Sequence, residues 1–206
     1  MPIPFSELNK INPSSIIELF EIELTIGKHI ATGNPLNLPT IYRFHAGANM
    51  NNFGEIQYRS QSYQRVAVRA EGFEKKSDGV IARPSLTFSN LGGIIRDFST
   101  NQLITMSDFL QAVNTVTPSN DLIDAKFTRK MPLASALDNT NFVGNNPFGT
   151  PSTNRLKDEI YVIDRKAIEN REIVQFELVA AHDLENKIIP QRVVTKDLFP
   201  AVGTFI

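Results

Sequence analysis

The side chains that most often carry chemistry are scarce in this chain and poorly spaced for it. The three histidines are His29, His45 and His182, and none lies within about five residues of another, as paired zinc ligands usually do. The sequence contains no cysteine, which excludes disulfides, thiolate metal sites and thiol catalysis within these residues. We therefore predict no metal site, and we interpret the histidines as structural or surface residues.

Two acidic residues near the end of the chain could suggest a pair for acid–base catalysis. Asp164-Arg165-Lys166 and Glu177 fall opposite each other in a predicted hairpin. Opposite charges on paired strands usually only stabilise the pairing, by about 0.2–1 kcal/mol. A general acid or base also needs burial and a perturbed pKa. We predict no catalytic residue here.

The serines and glycines do not form the motifs of nucleophilic catalysis or phosphate binding. Ser60, Ser62 and Ser85 lack the Gly-x-Ser-x-Gly context of a nucleophile elbow. Leu91–Ile94 contains a glycine pair, but it has neither the spacing of a dinucleotide-binding loop nor a helix directly after it. These residues indicate turns and strands rather than an active site.

The charge balance gives no sign of nucleic-acid binding. The chain has 21 Lys and Arg against 22 Asp and Glu, a formal net charge of −1. Arg83, Arg129 and Lys130 are isolated cations on predicted strands, and they could meet phosphates. In a nearly neutral chain such cations are more often solvated or paired with acids, which is the interpretation favoured here.

Composition indicates a globular protein with a core rich in phenylalanine. Of the 206 residues, 41% are hydrophobic, and there are 14 Phe but no Trp. No apolar run approaches the length of about 18 residues that a membrane-spanning helix needs. Residues 1–7 lack the basic and apolar regions of a signal peptide. We expect no membrane insertion.

Alternating and β-branched apolar residues predict the strands of a mostly-β protein. The predicted strands are Ser15–Thr25, Thr40–His45, Glu55–Arg59, Arg65–Glu71, Ser85–Asn90, Ile160–Ile168 and Ile173–Ala181. The third and fourth are predicted to pair as a hairpin. The last two are predicted to pair across Glu169-Asn170-Arg171, which is the clearest hairpin pattern in the chain.

One helix and one long loop interrupt the strands. Ser107–Val113 is the best helix pattern, with Ser107 as the cap and Asp108 beside the helix N-terminus. Leu133–Leu137 indicates one more helical turn. Asn139–Asn154 is the longest loop, and a loop of this length is usually functional or packed against a partner.

These elements predict a mostly-β fold of antiparallel sheets, barrel-like, with about ten short strands and a small helical insert near residues 100–118. The expected domain organisation is an N-terminal arm over residues 1–13 and a single β-rich domain over residues 14–197. An apolar C-terminal tail follows over residues 198–206.

The strands and turns also carry an ordered series of short motifs. The first half comprises an apolar strand at Ile16–Leu24, an I-x-Y-x-x-Q-x-Y motif at Ile56–Tyr63, Gly-Phe-Glu at Gly72–Glu74 and R-P-x-L-x-x-S-N at Arg83–Asn90. The second half begins with D-L-x-x-A-K-x-x-R at Asp121–Arg129, Leu-Asp at Leu137-Asp138, a phenylalanine at Phe142 and Asn-Pro at Asn146-Pro147. It continues with Y-x-I-D-R-K and a later Glu at Tyr161–Glu169, Phe-Glu-Leu at Phe176–Leu178, Asp-Leu at Asp183-Leu184 and Pro-x-Arg at Pro190–Arg192.

This series resembles the minor tail protein L family of long-tailed, lambda-like bacteriophages. The resemblance covers nearly the whole chain, and its specificity lies in the order of the motifs rather than in any one of them. Two positions depart from the pattern, since Ser60 and Asp124 stand where the family has glycine.

The family commonly continues into a Cys-bearing C-terminal region that holds an iron–sulfur cluster. This sequence has no Cys, so we expect no such cofactor here. We expect packing or a neighbouring protein to stabilise the C-terminal tail instead, with Phe199, Phe205 and Ile206 as partner-contact residues, because an apolar terminus would otherwise be solvated.

The resemblance implies a structural role in the virion, at the tail tip. A protein of this kind links the ring that ends the tail tube to the central hub or fibre protein, acts as a symmetric ring, here a homotrimer, and forms part of the conduit for DNA. We expect this chain to be made in the host cytoplasm, to hold no cofactor and not to be an enzyme.

Two other classes compete with this interpretation. A receptor- or carbohydrate-binding module at the tail tip would need a cluster of exposed aromatic side chains, and the chain has four Tyr and no Trp. A peptidoglycan hydrolase would need paired carboxylates or a metal triad, and the shortage of His and Cys argues against it.

Overall fold

One sheet of nine strands dominates the computed structural model of this protein. The structure describes residues 9–34, 39–47, 55–74, 82–93, 95–96, 102–152 and 155–180. Its strands are β1 (Leu19–Glu23), β2 (Ile41–His45), β3 (Ile56–Tyr58), β4 (Gln61–Arg65), β5 (Val68–Glu71), β6 (Ser85–Ser89), β7 (Ile95–Arg96), β8 (Leu103–Ile104), β9 (Lys126–Lys130), β10 (Glu159–Glu169) and β11 (Ile173–Ala180). Helix α1 spans Met106–Val116, and two 3-10 turns span Ala134–Ala136 and Asn139–Asn141. β7 and β8 form a separate pair.

The large sheet has the strand order β3-β4-β2-β1-β9-β10-β11-β6-β5. Every neighbouring pair in it is antiparallel except β2 and β4, which run parallel. A parallel pair needs a long connection, and residues 46–60, which include β3, supply it. The prediction of a mostly-β fold is confirmed. The prediction of antiparallel pairing is confirmed for all pairs of this sheet but one.

The two ends of the strand order approach each other because β4 runs almost directly into β5. Between them, the Val66 N–H donates to the carbonyl of His45 at 3.0 Å. The rings of Phe44 on β2 and Phe88 on β6 lie 5.4 Å apart, although their strands are far apart in the sheet order. The sheet therefore curls around one core, but its strand pairing does not close into a barrel.

The predicted hairpin between Glu55–Arg59 and Arg65–Glu71 is wrong. β3 pairs instead with β4, through the two-residue turn Arg59-Ser60. β5 pairs with β6. A two-residue turn closes the chain at once, so residues 61–65 become the partner of β3 and residues 68–71 are free to join another strand.

The core consists of phenylalanine and aliphatic side chains, as the composition indicates. Phe20 on β1 stacks on Phe127 of β9 at 5.7 Å and contacts Phe44 of β2 at 5.6 Å. Phe88 meets Phe176 of β11 edge to face at 6.1 Å. Burial of each such ring contributes about 1.5–3 kcal/mol, so this cluster is the main source of stability.

Helix α1 covers one part of this core. Its buried face consists of Met106, Phe109, Leu110 and Val113. The predicted cap at Ser107 is wrong: Thr105 accepts a hydrogen bond from the Asp108 N–H, and the two residues form a reciprocal capping box. The true cap lies two residues earlier, because the helix begins at Met106 and Ser107 is inside its first turn. In the described residues no helix is long and apolar enough to cross a membrane.

The predicted domain limits remain predictions. Residues 9–13 are exposed, and the expected boundary near residue 197 lies outside the described residues. Helix α1 falls inside the predicted helical insert near residues 100–118.

Candidate functional site: three clusters of motif residues

In the described part of the chain, the residues considered for catalysis do not come together as an active site. Among the residues that the structure describes, no three His, Cys, Asp or Glu side chains are placed to hold a metal ion. His29 and His45 are buried, and His182 lies outside the described residues. Arg165 and Glu177 form a two-point ion pair at 2.9 and 3.0 Å, so this cross-strand pair has the stabilising role that was predicted.

Arg129 and Lys130, two of the cations that stand apart in the sequence, are paired with acids. Lys130 lies 2.7 Å from Glu21, and Arg129 binds Glu18 and Glu159. The prediction that cations of this kind are paired with acids is confirmed for these two residues. Arg83 is exposed.

The first cluster, called here the hairpin clasp, comprises Gln57, Arg59, Ser60, Asp138 and Asn141. Arg59 and Ser60 have φ values of 53° and 60°, the left-handed backbone of a type I′ hairpin turn, which favours glycine at its second position. This explains why the resembling motif has glycine where this chain has Ser60. The Asp138 carboxylate accepts hydrogen bonds from the N–H groups of Arg59 at 3.1 Å and Ser60 at 2.7 Å.

Asn141 completes the hairpin clasp by occupying the outer edge of β3. Its side chain accepts a hydrogen bond from the Gln57 N–H at 2.7 Å and donates to the Gln57 carbonyl at 2.6 Å. Unpaired backbone groups on an edge strand invite pairing with another chain, so Asn141 protects the edge at this residue. Behind the clasp lies a small apolar cluster formed by Leu19, Ile56, Tyr58, Tyr63, Ala136 and Leu137.

Glu21 links the hairpin to the middle of the sheet. The Tyr63 hydroxyl donates to Glu21 at 2.6 Å, and Arg43 lies 3.3 Å away. Burial alone would raise the pKa of Glu21, but bonds from Lys130 and Tyr63 outweigh this effect and lower it. The carboxylate therefore stays charged and joins β1, β2, β4 and β9.

The second cluster surrounds Phe73 and is called here the Phe73 plug. Phe73 stacks on Phe127 at 6.2 Å and meets Tyr161 edge to face at 5.5 Å. The Arg129 guanidinium lies 4.5 Å from the centre of the Phe73 ring, a cation–π contact. Burial alone would lower the pKa of Arg129, but its bonds to carboxylates raise it. Phe73 therefore joins residues of β9 and β10 to the chain that follows β5.

A glycine makes the approach to the Phe73 plug possible. Gly72 has φ +82°, and a Cβ atom there would lie 3.2 Å from Cα of Pro84. Pro84 is fixed in turn, since its carbonyl accepts the N–H of Leu178 at 2.8 Å. Both the left-handed backbone and the close contact explain why Gly72 precedes Phe73 in the motif.

The third cluster, called here the Lys166 network, connects both ends of α1 to the β10–β11 hairpin. Lys166 lies 2.9 Å from Asp121 and 2.5 Å from Glu169. Glu169 accepts from the Ser107 hydroxyl at 2.7 Å, in the first turn of α1. Asp121 exchanges two hydrogen bonds with Asn114, in the last turn. Burial alone would lower the pKa of Lys166, but the two acids raise it.

Asn90 extends the Lys166 network to the end of β6. Its side chain donates to the Asn170 carbonyl at 2.8 Å and to the Ser107 hydroxyl at 2.9 Å. It also accepts the Ser107 N–H at 3.1 Å. The Asn90 of the R-P-x-L-x-x-S-N motif thus joins a strand, a helix and a hairpin turn.

The long loop carries apolar side chains into solvent. Val143 is fully exposed and Phe148 is 54% exposed. The loop base is held by Asn146, which donates to the carbonyls of Leu137 at 3.0 Å and Ser135 at 3.3 Å. The prediction that Asn139–Asn154 serves a partner stays a prediction. The predicted partner contacts Phe199, Phe205 and Ile206 lie outside the described residues.

The fold is a mostly-β protein built on one large sheet, in which the motif residues join strands, helix and turns to one another. The sequence profile of the phage minor tail protein L family matches residues 37–202, so the chain belongs to that family. It is 26% identical over 148 residues to tail tip protein L of Escherichia phage lambda. The alignment covers 71% of this chain and 51% of the relative, so the chain spans about half the length of that relative.

Replacing Asp138 with alanine is expected to destabilise the protein by about 1–2 kcal/mol, because two backbone N–H groups lose a charged acceptor but can turn to water. Urea unfolding followed by circular dichroism measures this loss. Asp164→Ala is the control, since Asp164 is exposed on β10 and surface changes usually stay within about 0.5 kcal/mol. Equal stability of the two variants would contradict the role given to Asp138.

Proposed function

We propose that this protein is a structural component of the tail tip of a long-tailed phage. In this role it links the ring that ends the tail tube to the central hub or fibre protein. The observation that carries the proposal is the family match over residues 37–202, which contains the motif residues of all three clusters. The name of the lambda relative, tail tip protein L, supports a position at the tip.

The clusters suit a part that must hold its shape under load. Each one joins elements far apart in sequence: Asp138 binds the turn of the β3–β4 hairpin, and Lys166 binds both the segment after α1 and its own hairpin. Networks of this kind resist local opening because several bonds must break together. A scaffold in a particle that binds a cell and ejects DNA needs this property.

The charge pattern suits a conduit for DNA. A basic lumen would hold phosphates through counterion release, whereas this chain has a net charge of −1. Arg129, Lys130 and Lys166 are neutralised by acids. We propose that three copies form a ring whose inner surface lets DNA pass without strong binding.

The partners in this proposal are other tail proteins. Among the described residues, the loop with Val143 and Phe148 offers an exposed apolar surface on a fixed base. The C-terminal residues Phe199, Phe205 and Ile206 are the second proposed contact. We propose no cofactor and no catalytic activity.

Cryo-electron microscopy of intact tails, with this chain traced, tests the proposal. The expected result is a trimeric ring between the tail tube and the central hub. A different ring order would correct the trimer and keep the scaffold role. Absence of the chain from purified tails would overturn the proposal and favour a role in assembly.

Two inexpensive assays address the competing classes. Zymography on peptidoglycan is expected to give no cleared band, and a cleared band would favour a hydrolase. The isolated protein is expected not to bind host cells. Saturable binding that soluble sugars displace would favour a receptor- or carbohydrate-binding module.

A further inference from the structure

The segment between α1 and β9 contains an unusual concentration of left-handed backbone. Ser119, Asp121, Leu122 and Asp124 have φ values of 58°, 47°, 66° and 67°. Residues other than glycine avoid this region, and such strain persists only where surrounding contacts impose it. This segment is called here the 119–124 turn. Its last strained position, Asp124, is one at which the resembling motif has glycine.

The 119–124 turn is held against a second turn, residues 25–30. The Asn120 side chain donates to the carbonyl of Lys28 at 3.0 Å, and Lys28 forms an ion pair with Asp124. His29 completes the contact, because its Nε2 lies 2.9 Å from the carbonyl of Ile123. These three contacts keep the strained backbone in place.

His29 fits this contact only in one protonation state. Its Nδ1 accepts the N–H of Thr25 at 2.9 Å, so Nδ1 carries no proton. Nε2 must then carry the proton and donate it to the Ile123 carbonyl. The side chain is only 2% exposed, so water cannot readily replace either bond. A proton added to Nδ1 would point at the Thr25 N–H, and that bond would be lost.

The charged groups that face His29 are Lys28 on its own turn and Asp124 on the opposite turn. Burial lowers the pKa of His29 and Lys28 lowers it further, while the Ile123 carbonyl and Asp124 act in the opposite direction. The net result is a pKa below the ordinary value of 6.5. The neutral ring is therefore the form that the closed turns favour.

We propose that His29 is a pH-sensitive latch, which holds the 119–124 turn closed when neutral and releases it when Nδ1 is protonated. A folded-state pKa below that of the released ring means that the open state binds more protons. The latch is fully effective above pH 6.5 and weakens as the pH falls below that value. The inference does not depend on the proposed tail function.

Hydrogen–deuterium exchange of the full chain tests the latch at about pH 7.5, 6.5 and 5.5, with rates corrected for the intrinsic pH dependence of amide exchange. The opening equilibrium of residues 25–30 and 119–125 is expected to rise by up to about tenfold between pH 7.5 and 5.5. Residues 173–180 of β11 serve as the internal reference. Unchanged protection of both turns across this range would overturn the proposal.

Two variants separate a latch from a merely structural histidine. His29→Gln keeps a donor for the Ile123 carbonyl but cannot titrate, so its opening equilibrium should no longer depend on pH. Lys28→Met removes the facing cation, which raises the pKa of His29 in the closed turn, so opening should rise less between pH 7.5 and 5.5 than in the wild type. A pH response that persists in His29→Gln would overturn the proposal.

If His29→Gln does not fold, nitrogen NMR of His29 in the wild-type protein tests the proposal instead. The expected result is a proton on Nε2 alone near neutral pH. As the pH falls, the ring should gain its second proton together with opening of the turn. A doubly protonated ring in a turn that is still protected would overturn the latch.

Discussion

Replacing Phe73 with alanine is expected to lower the free energy of unfolding by about 3–5 kcal/mol, the usual cost of removing a buried phenylalanine. The side chain is 8% exposed and contacts the rings of Phe127 and Tyr161. Its loss also removes the aromatic face beneath Arg129. Urea unfolding monitored by far-ultraviolet circular dichroism measures the change. For a chain of this size such a loss is a large part of the total stability.

Two control variants make the Phe73 prediction specific. Phe148→Ala removes the same ring from a position that is 54% exposed, and it should cost no more than about 1 kcal/mol. Phe73→Leu keeps part of the buried volume, so its loss of stability should lie between those of Phe73→Ala and Phe148→Ala. If Phe73→Ala is no less stable than Phe148→Ala, the plug does not hold the sheet together.

The most predictable part of the fold is the hairpin whose signal is entirely local. The expected strands Ile160–Ile168 and Ile173–Ala181 agree with β10 and β11 within one residue at each end. The turn explains this agreement, since the Asn170 side chain accepts the N–H groups of residues 172 and 173 at 2.8 Å. An asparagine that caps its own turn is visible in sequence.

Partner choice among distant strands could not be predicted in the same way. β4 pairs in parallel with β2, and β5 joins β6, but no pattern within these strands identifies the partner. Alternation shows which face a residue occupies but does not identify the neighbouring strand. The parallel pair depends on how the β3–β4 hairpin folds back, which its two-residue turn decides.

The clusters were missed for a related reason. Asp138 and Ser60 are separated by 78 positions, and Asn141 and Gln57 by 84. The motif series included Asp138, and Ser60 as a departure from the pattern, but it gave no contacts between them. One local signal was available, because Asp138, Asn139 and Asn141 are short polar residues of the kind that bond to nearby backbone. Its target could be found only once the sheet was assembled.

Replacing Arg129 with methionine is expected to destabilise the protein by about 2–3 kcal/mol at neutral pH. The methionine keeps most of the side-chain stem, so the loss of stability reflects mainly the removal of the charge. Arg129 and Glu159 are 17% and 16% exposed, whereas Glu18 is 46% exposed. The pair with Glu18 is therefore screened by solvent and contributes little, so most of the expected loss comes from the pair with Glu159.

Adding Glu159→Gln to Arg129→Met distinguishes the loss of a favourable ion pair from the cost of leaving a carboxylate without its partner. If most of the cost of Arg129→Met comes from leaving the Glu159 carboxylate alone in a half-buried site, then adding Glu159→Gln should restore about 1 kcal/mol or more. If Arg129 acts instead mainly through its stacking on Phe73, the second change should restore nothing. Arg129→Lys keeps the charge but loses the planar fork. If the cost comes from the unpaired carboxylate, the stability of Arg129→Lys should be closer to that of the wild type than the stability of Arg129→Met is. A double variant that is less stable than Arg129→Met alone would contradict the electrostatic account, because the carboxylate would then be stabilising the sheet without its partner.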